Sequence, residues 1–358
     1  MRDYTGKSVF VGIDVHKKTY AVTCIIDNVI AKRDTLKAEP KMLADYLQKH
    51  FSNARIKTVY EAGFSGFVLH RYLTEKGVDS MVVHAASVEI SARDRVKTDK
   101  RDSLKLATQL SHGRLKGIHI PTAEREAYRE LSRMREKLAK DKRRVGNRLK
   151  SLLMRQGLLG ADDDEIISLK WLNKVEKLTC HETIKFTIQV CINEWHSLRE
   201  QLKAIDIKLA EQAKVDERLE AIYQSAPGIG KIHARVLSNE LADMSQFANE
   251  KRLFSFTGLT PSEHSSGEHK RQGHISRQGR AVLRKVLIQA AWLAINKDIS
   301  LLKTFERLSE KSGKKRAIVG IARRLIGRIR SCFVNNQTYR IYEKICSETG
   351  EISQVVAA

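Results

Sequence analysis

A chain of 358 residues suggests two or three domains, and 42% hydrophobic residues can fill their cores. Lysine and arginine total 65 against 42 aspartates and glutamates, a net charge of +23, which favours a polyanionic partner and, in the cytoplasm, nucleic acid. A membrane span is excluded because no apolar run reaches roughly 18 residues; MRDYTGKSVFVGID lacks the order of a signal peptide, and five scattered cysteines (Cys24, Cys180, Cys191, Cys332, Cys346) fit reduced thiols of a cytoplasmic protein rather than a zinc site.

In chain order, Ser8–Val15 and Tyr20–Ile26 are rich in β-branched residues and predict strands, Asp27-Asn28 supplies a turn, and Val29–Leu36 predicts a third strand. Glu39–Phe51 is helical in pattern, Ile56–Tyr60 a strand, Gly66–Lys76 a helix and Val78–Val83 a strand. Three meandering strands followed by alternating helix and strand predict an α/β layer fold over residues 1–120.

Between Pro121 and Pro227 no proline occurs for 105 residues. Trp195, Leu198, Leu202, Ile205 and Leu209 alternate three- and four-residue steps, the a/d pattern of a coiled coil. Leu131, Met134, Leu138, Val145 and Leu152 keep the same seam less strictly. Residues 121–222 therefore predict a pair of long helices, used for dimerisation or folded as a hairpin within one subunit. Residues 223–345 open with Ala226-Pro-Gly-Ile-Gly230 before the helical Lys231–Leu241. A Gly-x-Gly turn entering a helix offers free N–H groups to a phosphate, as in helix-hairpin-helix DNA binders. The Gly/Ser/His-rich stretch Gly258–Gly279 and the apolar helix Ala281–Ile295 follow. Lys311–Arg330 holds eight basic residues and no acidic one, which fits a phosphate-contacting surface or a solvated helix face. Residues 346–358 read as a tail.

Four carboxylates stand out from this basic background. Asp14 ends the apolar strand in Val9-Phe-Val-Gly-Ile-Asp-Val-His16, where a carboxylate is costly unless it is hydrogen-bonded or binds a cation. Glu61 repeats the situation after Ile56–Tyr60, just before Ala62-Gly63-Phe64-Ser65-Gly66. Asp99 and Asp102 lie in Lys97-Thr-Asp-Lys-Arg-Asp-Ser103; if Thr98 caps a helix, both fall on one face of its first turn. The helix macrodipole is a sufficient alternative reason for acids there. Together, Asp14, Glu61, Asp99 and Asp102 are candidate ligands for Mg²⁺, or Mn²⁺, in phosphodiester chemistry with two hard cations about 4 Å apart. Arg93, Arg95, Lys97, Lys100, Arg101 and Lys105 surround them in sequence and would hold a DNA backbone.

GIDVHKK with Asp14, YEAGFSG with Glu61 and KTDKRDS with Asp99 and Asp102 resemble the Asp-Glu-Asp-Asp transposases of bacterial insertion sequences. SAPGIGKIHA and FTGLTPSEHSSGEHKRQGHISRQGRAVLR resemble that family's second signature block. The resemblance implies an RNase H-like N-terminal domain of the kind found in Holliday-junction resolvases, a helical coiled-coil middle and a mostly α C-terminal transposase domain. It implies a nucleophilic serine, which by motif position is Ser266; because a hydroxyl is a poor nucleophile without a base or a metal, the expected activator is the carboxylate-bound metal of the same or a neighbouring subunit. It also implies DNA as substrate, a structured guide RNA transcribed from the element's non-coding end, and assembly of several subunits. Read from the residues alone, Ser262, Ser265 and Ser276 compete with Ser266, and His264, His269 and His274 are not spaced for metal ligation. Arg271, Arg277, Arg280 and Arg284 are candidates for the scissile phosphate. Two other functions fit parts of the pattern: a metal-dependent junction endonuclease using water as nucleophile, and a non-catalytic nucleic-acid binder.

Overall fold

Alternation along β1 (Ser8–Val15) sends Val9, Val11 and Ile13 to one face, where all three are fully buried, and Phe10 and Gly12 to the other. The computed structural model describes residues 4–89, 98–160, 165–263, 272–342 and 354–356. The chain divides into two units, Met1–Pro121 and Thr122–Ala358.

In the first unit β2 (Thr19–Ile26) pairs antiparallel with β1 and with β3 (Val29–Lys37). Asp27 and Asn28 join β2 to β3 with φ of +50° and +64°, the left-handed pair that a tight hairpin requires. Pro40 opens α1 (Pro40–His50), its fixed φ suiting the first helical position. β4 (Arg55–Glu61) then lies parallel to β1, and α2 (Val68–Glu75) leads to β5 (Asp79–Val83), parallel to β4. The sheet order is β3-β2-β1-β4-β5. Leu43 and Leu47 of α1 and Leu69 and Leu73 of α2 pack on the Val9–Val11–Ile13 face. On the opposite side α3 (Asp99–Ser111) sets Leu106 and Leu110 against Val59, Val83 and Phe10. This mixed α/β arrangement is consistent with an RNase H-like domain.

In the second unit α4 (Ala123–Arg155) starts on a Thr122 cap, whose hydroxyl accepts from the Arg125 N–H. α5 (Leu169–Glu176) and α6 (Glu182–Val215) follow. α4 and α6 run antiparallel within the chain, since Arg125 pairs with Asp216 just after α6, Arg135 with Asp206 and Arg148 with Glu194. Trp171, Leu172 and Val175 of α5 close one end of the pair around Val145, Leu149, Ile192 and Trp195. The two long helices expected from the sequence are present as this hairpin. Its seam is not the continuous one that the heptads suggest: Trp195 and Leu209 are buried, Leu198, Leu202 and Ile205 only partly, and Met134 is exposed.

α7 (Glu217–Ser225), α8 (Lys231–Leu241) and α9 (Glu250–Thr257) come next. The short strands β6 (Pro261–Glu263) and β7 (Gln272–Ile275) pair with one another before α10 (Ala281–Ala294), α11 (Ile299–Ser312) and α12 (Lys314–Val334). β8 (Arg340–Tyr342) pairs with β9 (Gln354–Val356), so part of the expected tail lies in a strand pair. Leu237, Leu283, Leu287, Ile321 and Leu325 are fully buried in the core of these helices. The turn between α7 and α8 needs Gly228: its φ is +81°, and a Cβ there would lie 2.4 Å from the Ala290 carbonyl oxygen. Packing against α10 thus accounts for this glycine without a phosphate. No described helix is long and apolar enough to cross a membrane.

Lys311–Arg330 does not present eight cations to solvent. Arg328 donates to the buried Asp298, Arg330 to the Phe247 carbonyl and Arg324 to the Thr304 hydroxyl, while Arg323 is partly buried. Helix α12 is central to its core, so its arginines serve packing as well as charge. Lys311, Lys314, Lys315 and Arg316 form an exposed basic group at the junction of α11 and α12, and Arg324 is exposed as well.

Candidate metal centre

Gly12 lets α3 approach the sheet. A Cβ there would lie 2.0 Å from the Ser103 carbonyl oxygen and 2.4 Å from the Ala107 nitrogen, distances no side chain tolerates. The bare strand surface admits the α3 backbone, and the fully buried hydroxyls of Thr23 and Ser103 share a hydrogen bond of 2.8 Å beside it. Asp14 follows Gly12 by two residues and therefore faces the same side of the sheet. The first turn of α3, carrying Asp99 and Asp102, is delivered to that strand end. Thr98 is the N-cap residue, with its carbonyl accepting from Arg101 and Asp102, but its side chain makes no capping bond.

His16 joins the two elements. Its Nε2 lies 3.1 Å from Oδ2 of Asp14 and 3.3 Å from Oδ2 of Asp99. One donor atom from each of Asp14, His16 and Asp99 falls within 4.8 Å of the others. Asp14 is 23% exposed and Asp99 62%, so the cluster opens to solvent on the helix side. Burial pushes the Asp14 carboxyl above its ordinary 3.8; His16 opposes this, and the negative charges of Asp102 and Asp99 add to it. The charge of Asp102 thus acts on Asp14, and the Lys105 ammonium lies 3.6 Å from the Asp102 carboxylate. Glu61 ends β4 and is exposed; it stands one step beyond the Ile13–Tyr60 register, which puts it beside Asp14. Its side shares the face of Val59, the face that α3 covers.

Carboxylates crowded at one strand end, with an imidazole between two of them, form a hard, oxygen-rich donor set that fits a divalent cation. The sequence reading did not assign His16. Its signal is the two-residue spacing from Asp14, which returns a side chain to the same side of an extended chain, and the His16 N–H, which bonds the Thr19 carbonyl, continues the hairpin.

Ser266, Ser265, His264, His269, Arg271, Arg93, Arg95 and Lys97 lie outside the described residues. Ser266 belongs to the connection between β6 and β7. Of its described competitors, Ser262 donates its hydroxyl to the His274 carbonyl at 3.0 Å, and the Ser276 N–H bonds the Thr260 carbonyl. Among the candidate phosphate-binding arginines, Arg284 donates to the Gly279 carbonyl, Arg280 lies 3.9 Å from Glu240 and Arg277 is exposed. The described cysteines Cys24, Cys180, Cys191 and Cys332 are free thiols.

Comparison with known proteins agrees with this arrangement. Residues 11–156 match a family model for DEDD transposases related to IS110, and residues 220–307 match the model described as the transposase IS116/IS110/IS902 family. The chain is 30% identical over 261 residues to the transposase for insertion sequence element IS1533 of Leptospira borgpetersenii, covering 70% of this chain and 75% of that one. It is 26% identical to the transposase for insertion sequence element IS1111A of Coxiella burnetii, over 68% of each chain. A pilin gene-inverting protein of Moraxella bovis is 33% identical over 110 residues, 30% of this chain and 34% of that protein. These matches define the chain as a DNA-transposing enzyme. The chain belongs to the IS110 family of insertion-sequence transposases.

Proposed function

We propose that this transposase cuts and rejoins DNA by phosphodiester transfer, with Asp14, Glu61, Asp99 and Asp102 as the ligands of a divalent-cation centre, Mg²⁺ or Mn²⁺. The observation that carries the reading is the meeting of Asp14 and Asp99 at the Gly12 contact, with Asp102 felt at Asp14 and Glu61 on the neighbouring strand. When bound, the cations would supply Lewis acidity and neutralise charge on the phosphate. The RNase H-like assignment of the first unit is part of the same reading.

Ser266 is the nucleophile that the family resemblance supports. Its oxygen forms a bond to phosphorus as the bond from phosphorus to one deoxyribose oxygen breaks. The serine proton passes to a base, the departing oxygen takes up a proton, and the DNA end stays on the serine. Attack by a hydroxyl of a second DNA end reverses the step and joins the strands. Gene inversion, the role named for the Moraxella bovis relative, is also a rearrangement of DNA and favours cutting with rejoining over hydrolysis. Lys311, Lys314, Lys315 and Arg316 hold DNA or RNA backbone by charge. A guide RNA from the element, a homo-oligomer paired partly through the α4–α6 region as a coiled coil, and action at the nucleoid in the cytoplasm complete the proposal.

The test is a reaction with element-end DNA, target DNA, the flanking transcript and Mg²⁺ or Mn²⁺. Cut and joined products are expected from the unaltered protein. Asp14→Asn and Asp102→Asn should each lower the rate by about 100-fold or more while DNA binding persists. Cleavage without joining would favour the junction endonuclease, and a rate indifferent to both variants would remove the metal centre.

A further inference from the structure

The imidazole at the Asp14–Asp99 contact has chemistry of its own. Resting on the proposed metal centre, we infer that His16 is itself a ligand of the cation held by Asp14 and Asp99, and that its nitrogen makes this position prefer Mn²⁺ to Mg²⁺.

Position is the first support. Six-coordinate cations with bonds of about 2.1 Å hold neighbouring donor atoms about 3.0 Å apart. Nε2 of His16 lies 3.1 Å from Oδ2 of Asp14 and 3.3 Å from Oδ2 of Asp99, the spacing of an adjacent corner from each, and the ligand atoms of all three residues fall within 4.8 Å of one another. They come from two separate elements: the end of β1 with the residue after it, and the first turn of α3. The second support is anchoring. The His16 N–H bonds the Thr19 carbonyl at 2.9 Å, and α3 packs against Gly12 through Ser103 and Ala107, just beyond the turn that carries Asp99, so both sides of the cluster stand on braced backbone.

Donor chemistry then decides between cations. Mg²⁺ binds through oxygen and keeps its waters, whereas an imidazole nitrogen suits first-row transition ions. Among those ions, Mn²⁺ also accepts a shell made mainly of carboxylate and water oxygens. Two aspartates and one histidine therefore give a mixed set that penalises Mg²⁺ relative to Mn²⁺. The same imidazole is a hydrogen-bonding spacer in the competing account, and then any Mn²⁺ bound here has an oxygen-only shell.

Pulsed electron paramagnetic resonance on the full chain with Mn²⁺, with and without excess duplex DNA, separates the two accounts. Competition by Mg²⁺ follows by loss of the bound signal. Unaltered protein should show coupling to one ¹⁴N nucleus. His16→Asn and His16→Ala, folded as judged by circular dichroism, should lose that coupling. They should bind Mn²⁺ at least about 10-fold more weakly, with a smaller preference over Mg²⁺. Bound Mn²⁺ without nitrogen coupling, displaced by Mg²⁺ equally well in all three proteins, would overturn the role of His16. If Asp14→Asn abolishes that binding, the carboxylate centre stands without the histidine. If neither ion binds the unaltered protein under either condition, the metal centre fails first and the inference with it.

Discussion

Gly12→Ala is the sharpest structural perturbation of the proposed centre. The added methyl would meet two backbone atoms of α3 at 2.0 and 2.4 Å, where ordinary contact begins at 3.4 Å. No rotamer relieves a clash with backbone, so α3 must retreat by about 1 to 1.5 Å. Overpacking of this kind costs about 1–3 kcal/mol, occasionally more. Retreat also pulls apart the buried Thr23–Ser103 hydrogen bond, which adds about 1–3 kcal/mol for groups left unpaired. A total of about 2–6 kcal/mol is a large share of a typical stability of about 5–15 kcal/mol. The tryptophans, Trp171, Trp195 and Trp292, all lie in the second unit, so their fluorescence is a poor reporter here. Hydrogen exchange read by mass spectrometry reports both regions directly. Gly12→Ala should accelerate exchange in β1 and α3 and weaken cation binding, with the α8–α12 helices unchanged. Gly230→Ala, where a Cβ meets nothing within 4 Å, is the tolerated comparison. Wild-type protection of α3 together with wild-type cation affinity in Gly12→Ala would refute the reasoning.

The Thr23–Ser103 pair should show coupling in a double-mutant cycle. Ser103→Ala alone leaves the buried Thr23 hydroxyl without that partner, and denaturation should find Thr23→Val/Ser103→Ala less destabilised than the sum of the single changes. Burial raises the carboxyl of Asp216, but hydrogen bonds from Arg125 and Arg235 outweigh it and hold the group below 3.8. A folded pKa below the unfolded one contributes stability that is complete above 3.8 and disappears as pH falls through the folded value. Unfolding curves should therefore show the advantage over Asp216→Asn shrinking on acidification below about pH 4; a constant difference would contradict the assignment. Replacing Lys314, Lys315 and Arg316 together by alanine should flatten the log–log salt dependence of DNA binding by up to about 2.7, at 0.9 per phosphate. Arg328→Ala should instead lower thermal stability, by up to about 3–5 kcal/mol, because it removes the cation paired with the fully buried Asp298, which keeps hydrogen bonds from the Tyr339 hydroxyl and the Ser300 and Leu301 N–H groups. A changed salt slope without loss of stability in Arg328→Ala would reverse that division.

The strands of the first unit are legible because β-branched residues alternate and turn residues bound them; each expected strand lies within two residues of the observed one. Asp14 is legible as a charge ending an apolar strand, and Asp99 and Asp102 as acids opening a helix. What joins them is not legible. Glycine within a strand reads as weakness, and only the opposing α3 backbone reveals Gly12 as a point of close approach. His16 hides for a related reason, since a histidine beside lysines reads as one more surface residue until Asp99 arrives from 83 positions along the chain. The basic run Lys311–Arg330 misleads because count says nothing of burial: the apolar positions of α12 are central to the core, and Arg324, Arg328 and Arg330 bond to it. The heptads of α4 and α6 give the helices but not their pairing, which Arg125, Arg135 and Arg148 reveal across the hairpin.

The central claim, metal-assisted transfer through a serine, is tested most directly by looking for DNA covalently attached to the protein. The protein is incubated with labelled element-end DNA, the flanking transcript and Mn²⁺ or Mg²⁺, denatured, and resolved on a gel beside Asp14→Asn, Ser262→Ala, Ser265→Ala and Ser266→Ala. The account expects an adduct from the unaltered protein, Ser262→Ala and Ser265→Ala, and none from Ser266→Ala or Asp14→Asn. Cleaved DNA without an adduct, at the same rate in Ser266→Ala, would contradict it and leave water as the nucleophile.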